Sequence, residues 1–422
     1  MTTLDPCPDN AVREPGLGRA VFPVRRVELH EALRRYFGYE TFRPHQENIV
    51  RAIAGGRDAL VILPTGAGKS LCYQLPACMR KGTCLVISPL ISLMKDQVDA
   101  ARAKGMRAAY LNSSQRAEEK RHVLKQLGEG ALDLLYVAPE RFPAAGFLER
   151  LQRVPLSLIA IDEAHCISQW GHEFRPDYLQ LPNVINALPR VPVAAFTATA
   201  TRQVEQDIVR RLALRSPLHV RASFNRPNLF YEVRYKGDAE RQIIAFVRNR
   251  RSQSGIVYRT TRKKVEQTAG WLQEAGIKAL PYHAGLKNDV RKTNQDAFDS
   301  GRVDVVVATI AFGMGIDKPD IRYVLHGDAP KNLEGYYQET GRAGRDGRPA
   351  HCLLLFDWDD VPTLRFFISK IKHPDRKKAA EVKLSRVLDF CTGRVCRRRK
   401  LLNYFDEQYE PEVCGGCDVC KR

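Results

Sequence analysis

The stretch ALVILPTGAGKSLCYQLPACM (residues 59–79) runs from an apolar, β-rich segment through a glycine loop into a helix-compatible segment, the order a phosphate cradle requires. Glycines let backbone N–H groups converge on phosphate oxygens, so Thr65, Gly66, Ala67 and Gly68 are candidate nucleotide contacts. Lys69 has the long cationic stem needed to reach terminal phosphates, and Ser70 the short hydroxyl needed to ligate Mg2+. Leu63 stands where the stricter pattern has glycine. Taken alone, the loop also reads as a structural glycine turn.

A second stretch, LIAIDEAHCISQW (158–170), is an apolar strand ending in two adjacent carboxylates. At the C-terminal edge of a buried strand two such groups take different positions. Asp162 is expected to hold Mg2+ and Glu163 to polarise an attacking water. A solvated acidic turn is the plain alternative for any Asp-Glu pair. Its occurrence downstream of the lysine loop makes nucleotide hydrolysis the expected chemistry.

Around these motifs, short apolar runs alternate with longer helical stretches: ALVIL (59–63), CLVIS (84–88), LLYVA (134–138), LIAID (158–162) and VAAFT (193–197). That alternation predicts a doubly wound parallel sheet. The turn-rich RASFNRPNLFY (221–231) interrupts it, and GIVYRT (255–260), ALPYHAG (279–285), VVVATI (305–310), YVLHGD (323–328) and CLLLF (352–356) predict a second α/β domain. Beyond these, DRKKAAEVKLSRVLDF (375–390) reads as an amphipathic helix leading into a cysteine-bearing tail. The opening residues mix Pro, Gly and charge without periodicity, which predicts a mobile lead-in. The expected organisation is a lead-in over 1–27, a first lobe over 28–222, a second over 223–355 and a helical module over 356–422.

Composition narrows the partner. Sixty-seven Lys and Arg against 48 Asp and Glu leave a formal charge of +19, which favours a polyanion, nucleic acid ahead of anionic lipid. No apolar run approaches the roughly 18 residues of a membrane span. Eleven cysteines, an odd number in a long chain with no hydrophobic signal segment, predict a reducing compartment. Cys7, Cys72, Cys78, Cys84, Cys166 and Cys352 are expected as small buried hydrophobes.

DEAH (162–165), TATAT (197–201) and YYQETGRAGRDG (336–347) resemble the superfamily 2 helicases, built on two RecA-like lobes. FGYETFRPHQ (37–46), SPLISLMKDQV (88–98), DEAHCISQWGHEFRP (162–176), GMGIDKP (313–319) and the four-cysteine tail resemble the RecQ DNA helicase family, from about Tyr36 to Cys420. The resemblance implies an α/β chain of two RecA-like doubly wound parallel-sheet domains followed by a small helical zinc-binding module. It also implies an adenine clamp of Tyr39, Arg43 and Gln46, whose ring, guanidinium and amide suit a purine. His165, Thr197 and Thr199 would couple the nucleotide state to the DNA-contacting surface. Arg342 and Arg345 would be arginine fingers reaching across the cleft, with Gln338 beside them as a nucleotide contact. Trp170, His172, Phe174 and Arg175 match an aromatic-rich loop that senses single-stranded DNA, groups that stack well on unpaired bases. Two segments depart from the family pattern, Arg259 with Thr260 in GIVYRTTR, and LHGDAP (325–330).

Near the end of the chain, Cys396, Cys414, Cys417 and Cys420 follow a C-x17-C-x2-C-x2-C spacing, enough thiolates for a tetrahedral metal site. Zinc, an iron–sulfur cluster and redox-active thiols fit that spacing, with Cys391 a rival first ligand. The resemblance selects Zn2+ and Cys396. The basic run Arg397, Arg398, Arg399 and Lys400 is expected either to grip phosphates or to face water. The expected cofactors are ATP, Mg2+ and Zn2+. The expected activity is ATP-dependent 3′-to-5′ translocation and unwinding in DNA recombination and repair, on single-stranded and tailed or forked duplex DNA. No membrane is expected. The resemblance further implies a monomer working with repair proteins such as single-stranded DNA-binding protein, in bacterial cytoplasm at the nucleoid, or in the nucleus of a eukaryote. The winged-helix and C-terminal helical domains common in the family are not found in the sequence, which implies weaker strand separation. The alternatives are a single-strand-stimulated ATPase that unwinds weakly, an RNA helicase, and a non-catalytic zinc-dependent DNA-binding or annealing protein.

Overall fold

The apolar runs are strands buried on both faces, as parallel strands covered by helices must be. The structure, a computed structural model, describes residues 26–89, 91–309 and 318–421. Among them are thirteen strands: β1 Ala59–Ile62, β2 Thr83–Ile87, β3 Ala108–Leu111, β4 Leu134–Val137, β5 Leu156–Ile161, β6 Val193–Thr197, β7 Leu218–Arg221, β8 Leu229–Tyr235, β9 Gly255–Tyr258, β10 Ala279–Tyr282, β11 Val305–Ala308, β12 Tyr323–His326 and β13 Ala350–Phe356. The lead-in expected over 1–27 lies almost wholly outside the described residues, as do Leu90 of SPLISLMKDQV and most of GMGIDKP.

The first seven strands form one sheet in the order β3-β4-β2-β5-β6-β1-β7, and the last six a second in the order β10-β11-β9-β12-β13-β8. Each recorded pairing within them is parallel. Apolar cores lie on both faces of the first sheet, including Leu60, Leu85, Ile159 and Ile161 on one side and Val61, Val86, Leu158 and Phe196 on the other. Strands β3 and β7 carry no long apolar run, and β8 begins inside the segment that reads as turn-rich. Strand β8 ends the second sheet, and its burial declines along its length, with Arg234 and Tyr235 exposed.

The cysteine tail packs back onto both lobes. Phe405, at the end of the helix Arg397–Tyr404, stacks on Phe224 of the segment joining the sheets, with centroids 4.5 Å apart, and lies edge-on to Tyr337 at 5.0 Å. Arg202 N donates to Asp406 Oδ2 at 2.9 Å and Phe224 N to Glu407 Oε2 at 2.6 Å. The basic run on this helix departs from both expectations. Arg397 and Arg398 are buried: Arg397 pairs with Asp418 at 2.9 Å, and Arg398 donates to Asn225, Arg226 and Leu229. Two guanidiniums inside the protein are tolerated because each has an ionic or carbonyl partner set.

Candidate functional site

Strand order builds the site. Because β6 lies between β5 and β1, the loops leaving these three strands emerge side by side at one sheet edge, successive strands being about 4.8 Å apart. Those loops are the glycine loop, the Asp-Glu pair and the Thr197–Thr199 turn. The glycine loop leads into the helix Leu71–Met79, whose N-terminal N–H groups suit an anion.

Gly66 and Gly68 hold φ of 84° and 80°, a region that costs other residues about 1–2 kcal/mol. A Cβ on Gly68 would sit 2.4 Å from Gln46 Nε2, which donates to the carbonyls of Ala67 and Gly68 at 3.2 Å. Arg43 Nη1 donates to Gly66 O at 2.7 Å, and Arg43 N to Gln46 Oε1 at 3.0 Å. The segment around Tyr39, Arg43 and Gln46 therefore shapes the loop as well as facing the cleft. Gly68→Ala is expected to weaken binding of an ATP analogue about tenfold or more through this clash and strain, read by titration, with the melting temperature near wild type.

Lys69, Asp162 and Glu163 meet at the floor of a cleft of about 870 Å3, which Tyr39, Thr65, Ser70, Gln338, Arg342 and Arg345 also line. Lys69 Nζ donates to Leu63 O at 3.0 Å. Burial lowers the Lys69 pKa against the pull of both carboxylates, and burial followed by the charge of Glu163 raises that of Asp162. For Glu163 burial acts upward, but His165, Lys69 and Arg342 together hold it below the ordinary carboxylate range. Glu163 has a left-handed backbone, φ 46° and ψ 47°, a conformation that costs a non-glycine residue of order 1–3 kcal/mol and clusters at functional sites.

Arg342 and Arg345 come from the turn after the helix Leu333–Thr340 of the second lobe. Arg342 is buried, and the Arg345 stem packs over the glycine loop, 3.3 Å from where a Gly66 Cβ would lie. Arg226, which the sequence reading did not single out, donates to the carbonyls of Gly341, Ala343 and Gly344 and so holds this turn. A buried arginine on a run of carbonyls leaves no local sequence signal.

A polar chain leads away from Glu163. Its Oε2 lies 3.2 Å from His165 Nδ1, which is 2.8 Å from Thr197 Oγ1. Thr197 donates to Thr199 O, and Gln338 Nε2 of the second lobe donates to Thr199 Oγ1 at 3.1 Å. Gln338 thus borders the cleft while spending its amide on the first lobe. His165 stacks on His172 with centroids 4.2 Å apart and planes at 20°. Glu173 joins these two histidines within 4.8 Å, but an ion in the plane of one stacked ring lies outside the plane of the other. Burial opposes charging of His165, yet Cys166 and Glu163 raise its pKa to about 10.

The structure divides the aromatic loop. Trp170 is exposed, Phe174 lies under Arg376 at 4.7 Å, and Arg175 is committed to Pro89 O at 2.7 Å and Glu173 at 2.6 Å. Lys383, also unsingled in the sequence, donates to Trp170 O at 2.8 Å and pairs with Glu334 at 2.8 Å. The departures meet one another: Arg259 Nε lies 3.0 Å from Asp328 of LHGDAP, which also accepts from Thr260 N and Oγ1.

The sulfurs of Cys396, Cys414, Cys417 and Cys420 all lie within 4.8 Å of one another, and those of Cys396 and Cys417 are 3.9 Å apart. A tetrahedral Zn2+ with Zn–S near 2.3 Å places its sulfurs about 3.8 Å apart, whereas a disulfide needs about 2.0 Å. The donor set therefore fits zinc. Cys391 is buried elsewhere and is not part of the cluster.

Three family models match: DEAD/DEAH box helicase over residues 43–207, helicase conserved C-terminal domain over 238–347, and RecQ zinc-binding over 358–421. The ATP-dependent DNA helicase RecQ of Pasteurella multocida is 47% identical over 399 residues, covering 94% of this chain and 63% of that protein. That of Bacillus subtilis is 46% identical over 397 residues, covering 93% of this chain and 67% of that protein. The chain thus spans about two thirds of the length of these relatives. Among solved structures, the Mycobacterium smegmatis helicase Lhr bound to ssDNA and AMP-PNP aligns with a TM-score of 0.60 at 21% identity, over 85% of this chain and 49% of that one. Saccharomyces cerevisiae Dbp5 bound to RNA and ADP BeF3 aligns at 0.64 and 16% identity, over 85% of this chain and 97% of that one. At these identities they establish the fold.

Proposed function

The chain belongs to the RecQ family, and from that premise we propose that it is an ATP- and Mg2+-dependent DNA helicase moving 3′ to 5′ along single strands. The observation that carries this reading is the meeting of Lys69, Asp162 and Glu163 of one lobe with Arg342 and Arg345 of the other around one cleft. A site divided between two bodies links hydrolysis to their relative motion. The domain limits we propose are 28–222 for the first lobe, 223–355 for the second and 356–422 for the zinc module.

In this reading Gly66, Gly68 and Lys69 bind the phosphates, Tyr39 and Arg43 flank the base, and Gln46 braces the loop. Ser70 and Asp162 would hold Mg2+, and the raised Asp162 pKa fits a carboxylate that needs a cation beside it. When bound, Mg2+ neutralises charge on the phosphate oxygens. Glu163, ionised at neutral pH, orients the attacking water and takes its proton. Arg342 and Arg345 complete the positive shell when the lobes close. The chain Glu163–His165–Thr197–Thr199–Gln338, with His172 stacked on His165, ties that step to the aromatic loop and to the second lobe. Cys396, Cys414, Cys417 and Cys420 hold structural Zn2+.

The net charge of +19 supports a polyanionic substrate, and among the described residues no helix is long and apolar enough to cross a membrane. We assign single-stranded and tailed or forked duplex DNA as substrate, a monomer as the working unit, and repair proteins such as single-stranded DNA-binding protein as partners. The compartment is then the bacterial cytoplasm, or the nucleus in a eukaryote. Unwinding of a 3′-tailed duplex with ATP, but not of a 5′-tailed one, tests the proposal. Lys69→Ala is expected to abolish both unwinding and DNA-stimulated hydrolysis. Unwinding of the 5′-tailed form alone would refute the polarity, and stimulation by RNA above that by DNA would refute the substrate.

A further inference from the structure

The helix Asp360–Ser369 buries Asp360, Val361, Leu364 and Ile368 along one face. Phe366 falls on the opposite face and is 57% exposed, a large apolar ring left in water where a helix ordinarily places a polar residue. Lys370 Nζ lies 4.8 Å above its ring, and Lys331 Nζ lies 4.9 Å above the neighbouring ring of Phe367. Lys331 also lines a cleft of about 300 Å3 shared with His172 and Glu173 of the aromatic loop, so the lysine over Phe367 links this helix to the cleft that the loop borders. The segment KIKHPDRKK (370–378) follows directly, with five Lys and Arg against one Asp.

An exposed ring, Phe366, beside a half-buried one, Phe367, each with a lysine over its face, supplies the elements of a surface for unpaired nucleotides, the rings stacking bases and the cations meeting phosphates. In a duplex the base faces are already covered, so such rings have nothing to stack on. We propose that Phe366, Phe367, Lys331 and Lys370 form a second single-strand site, extending the strand path from the aromatic loop onto the helix Asp360–Ser369. The inference rests on the single-stranded-DNA reading above and adds a binding site to it. The site holds strand and leaves the hydrolytic groups untouched.

The test is the affinity of the full, zinc-loaded chain, without nucleotide, for single strands of about 4 and about 16 residues, lengths spanning those that a stacking groove accommodates. Phe366→Ala, and separately Lys331→Ala with Lys370→Ala, are expected to weaken binding of the longer strand about tenfold. Binding of the short strand, held between the lobes, and hydrolysis without DNA stay within twofold. A photoreactive residue at position 366 is expected to crosslink to the longer strand. Unchanged affinity for the longer strand overturns the proposal, as does a loss confined to blunt duplex or a crosslink to an acidic polypeptide in preference to the strand. Wild-type protein that binds neither strand would instead refute the underlying functional reading, a result distinct from any of these.

Discussion

Replacing Arg342 with alanine is expected to lower the turnover number for DNA-stimulated ATP hydrolysis by about 10^3-fold or more, the range over which a guanidinium completes the charge around a transferred phosphoryl group. Arg342 is buried at the lobe boundary, and its charge is among those that hold Glu163 ionised. In the proposed roles, its removal would take away transition-state charge and loosen control of Glu163. With the phosphates assigned to the glycine loop, affinity for an ATP analogue is expected to change only a few-fold. Arg342→Lys keeps a positive charge but not the planar fork and is expected to recover little. Steady-state turnover at saturating single-stranded DNA measures the effect. A turnover number within tenfold of wild type for Arg342→Ala would remove this residue from the reacting centre.

Stripping the metal with a chelator, or substituting Cys417→Ala, is expected to unfold the terminal module and to depress hydrolysis with it. Structural zinc contributes on the order of 10–16 kcal/mol in small modules, as much as the net stability of a typical domain. Cys417 is buried, and the backbone beside it bridges to the second sheet, where Tyr231 N donates to Gly416 O and Asp418 N to Tyr231 O, both at 3.0 Å. Asp418 in turn carries Arg397. Loss of the cluster therefore releases the helix Arg397–Tyr404 and, through Phe405, the packing around Phe224 between the lobes. Metal content and turnover are expected to fall together while protease sensitivity near residue 400 rises. A chelated protein that keeps full turnover and resists cleavage would show that the thiols do not hold the module.

Much of this architecture was legible in the chain because buried parallel strands are written as apolar runs. β6 matches the run VAAFT residue for residue, and most other strands lie within about two residues of theirs. β3, β7 and β8 were not legible. The first two are short strands at the two edges of the first sheet, and β8 runs from buried through half-buried to exposed residues at the edge of the second, starting in a stretch dominated by turn formers. The same limit explains Arg397 and Arg398, whose charge predicts solvent or phosphate, while their burial depends on Asp418, Asn225 and backbone carbonyls distant in sequence. Arg226 and Lys383 were missed for a related reason. Each acts on backbone carbonyls, which every residue carries.

By itself the sequence determined the chemistry of individual groups. A lysine and a serine follow a glycine loop, two carboxylates end a strand, two arginines sit in a glycine-spaced turn, and four cysteines lie near the end of the chain. Those are properties of side chains and of local spacing. Tertiary structure decided which groups act on one another. The insertion of β6 between β5 and β1 brings Thr197 to His165 and Glu163, and the packing of the two lobes brings Gln338 to Thr199 and Arg345 to Gly66. Strand order and lobe contact are set by burial summed over the whole chain, so no local stretch carries them.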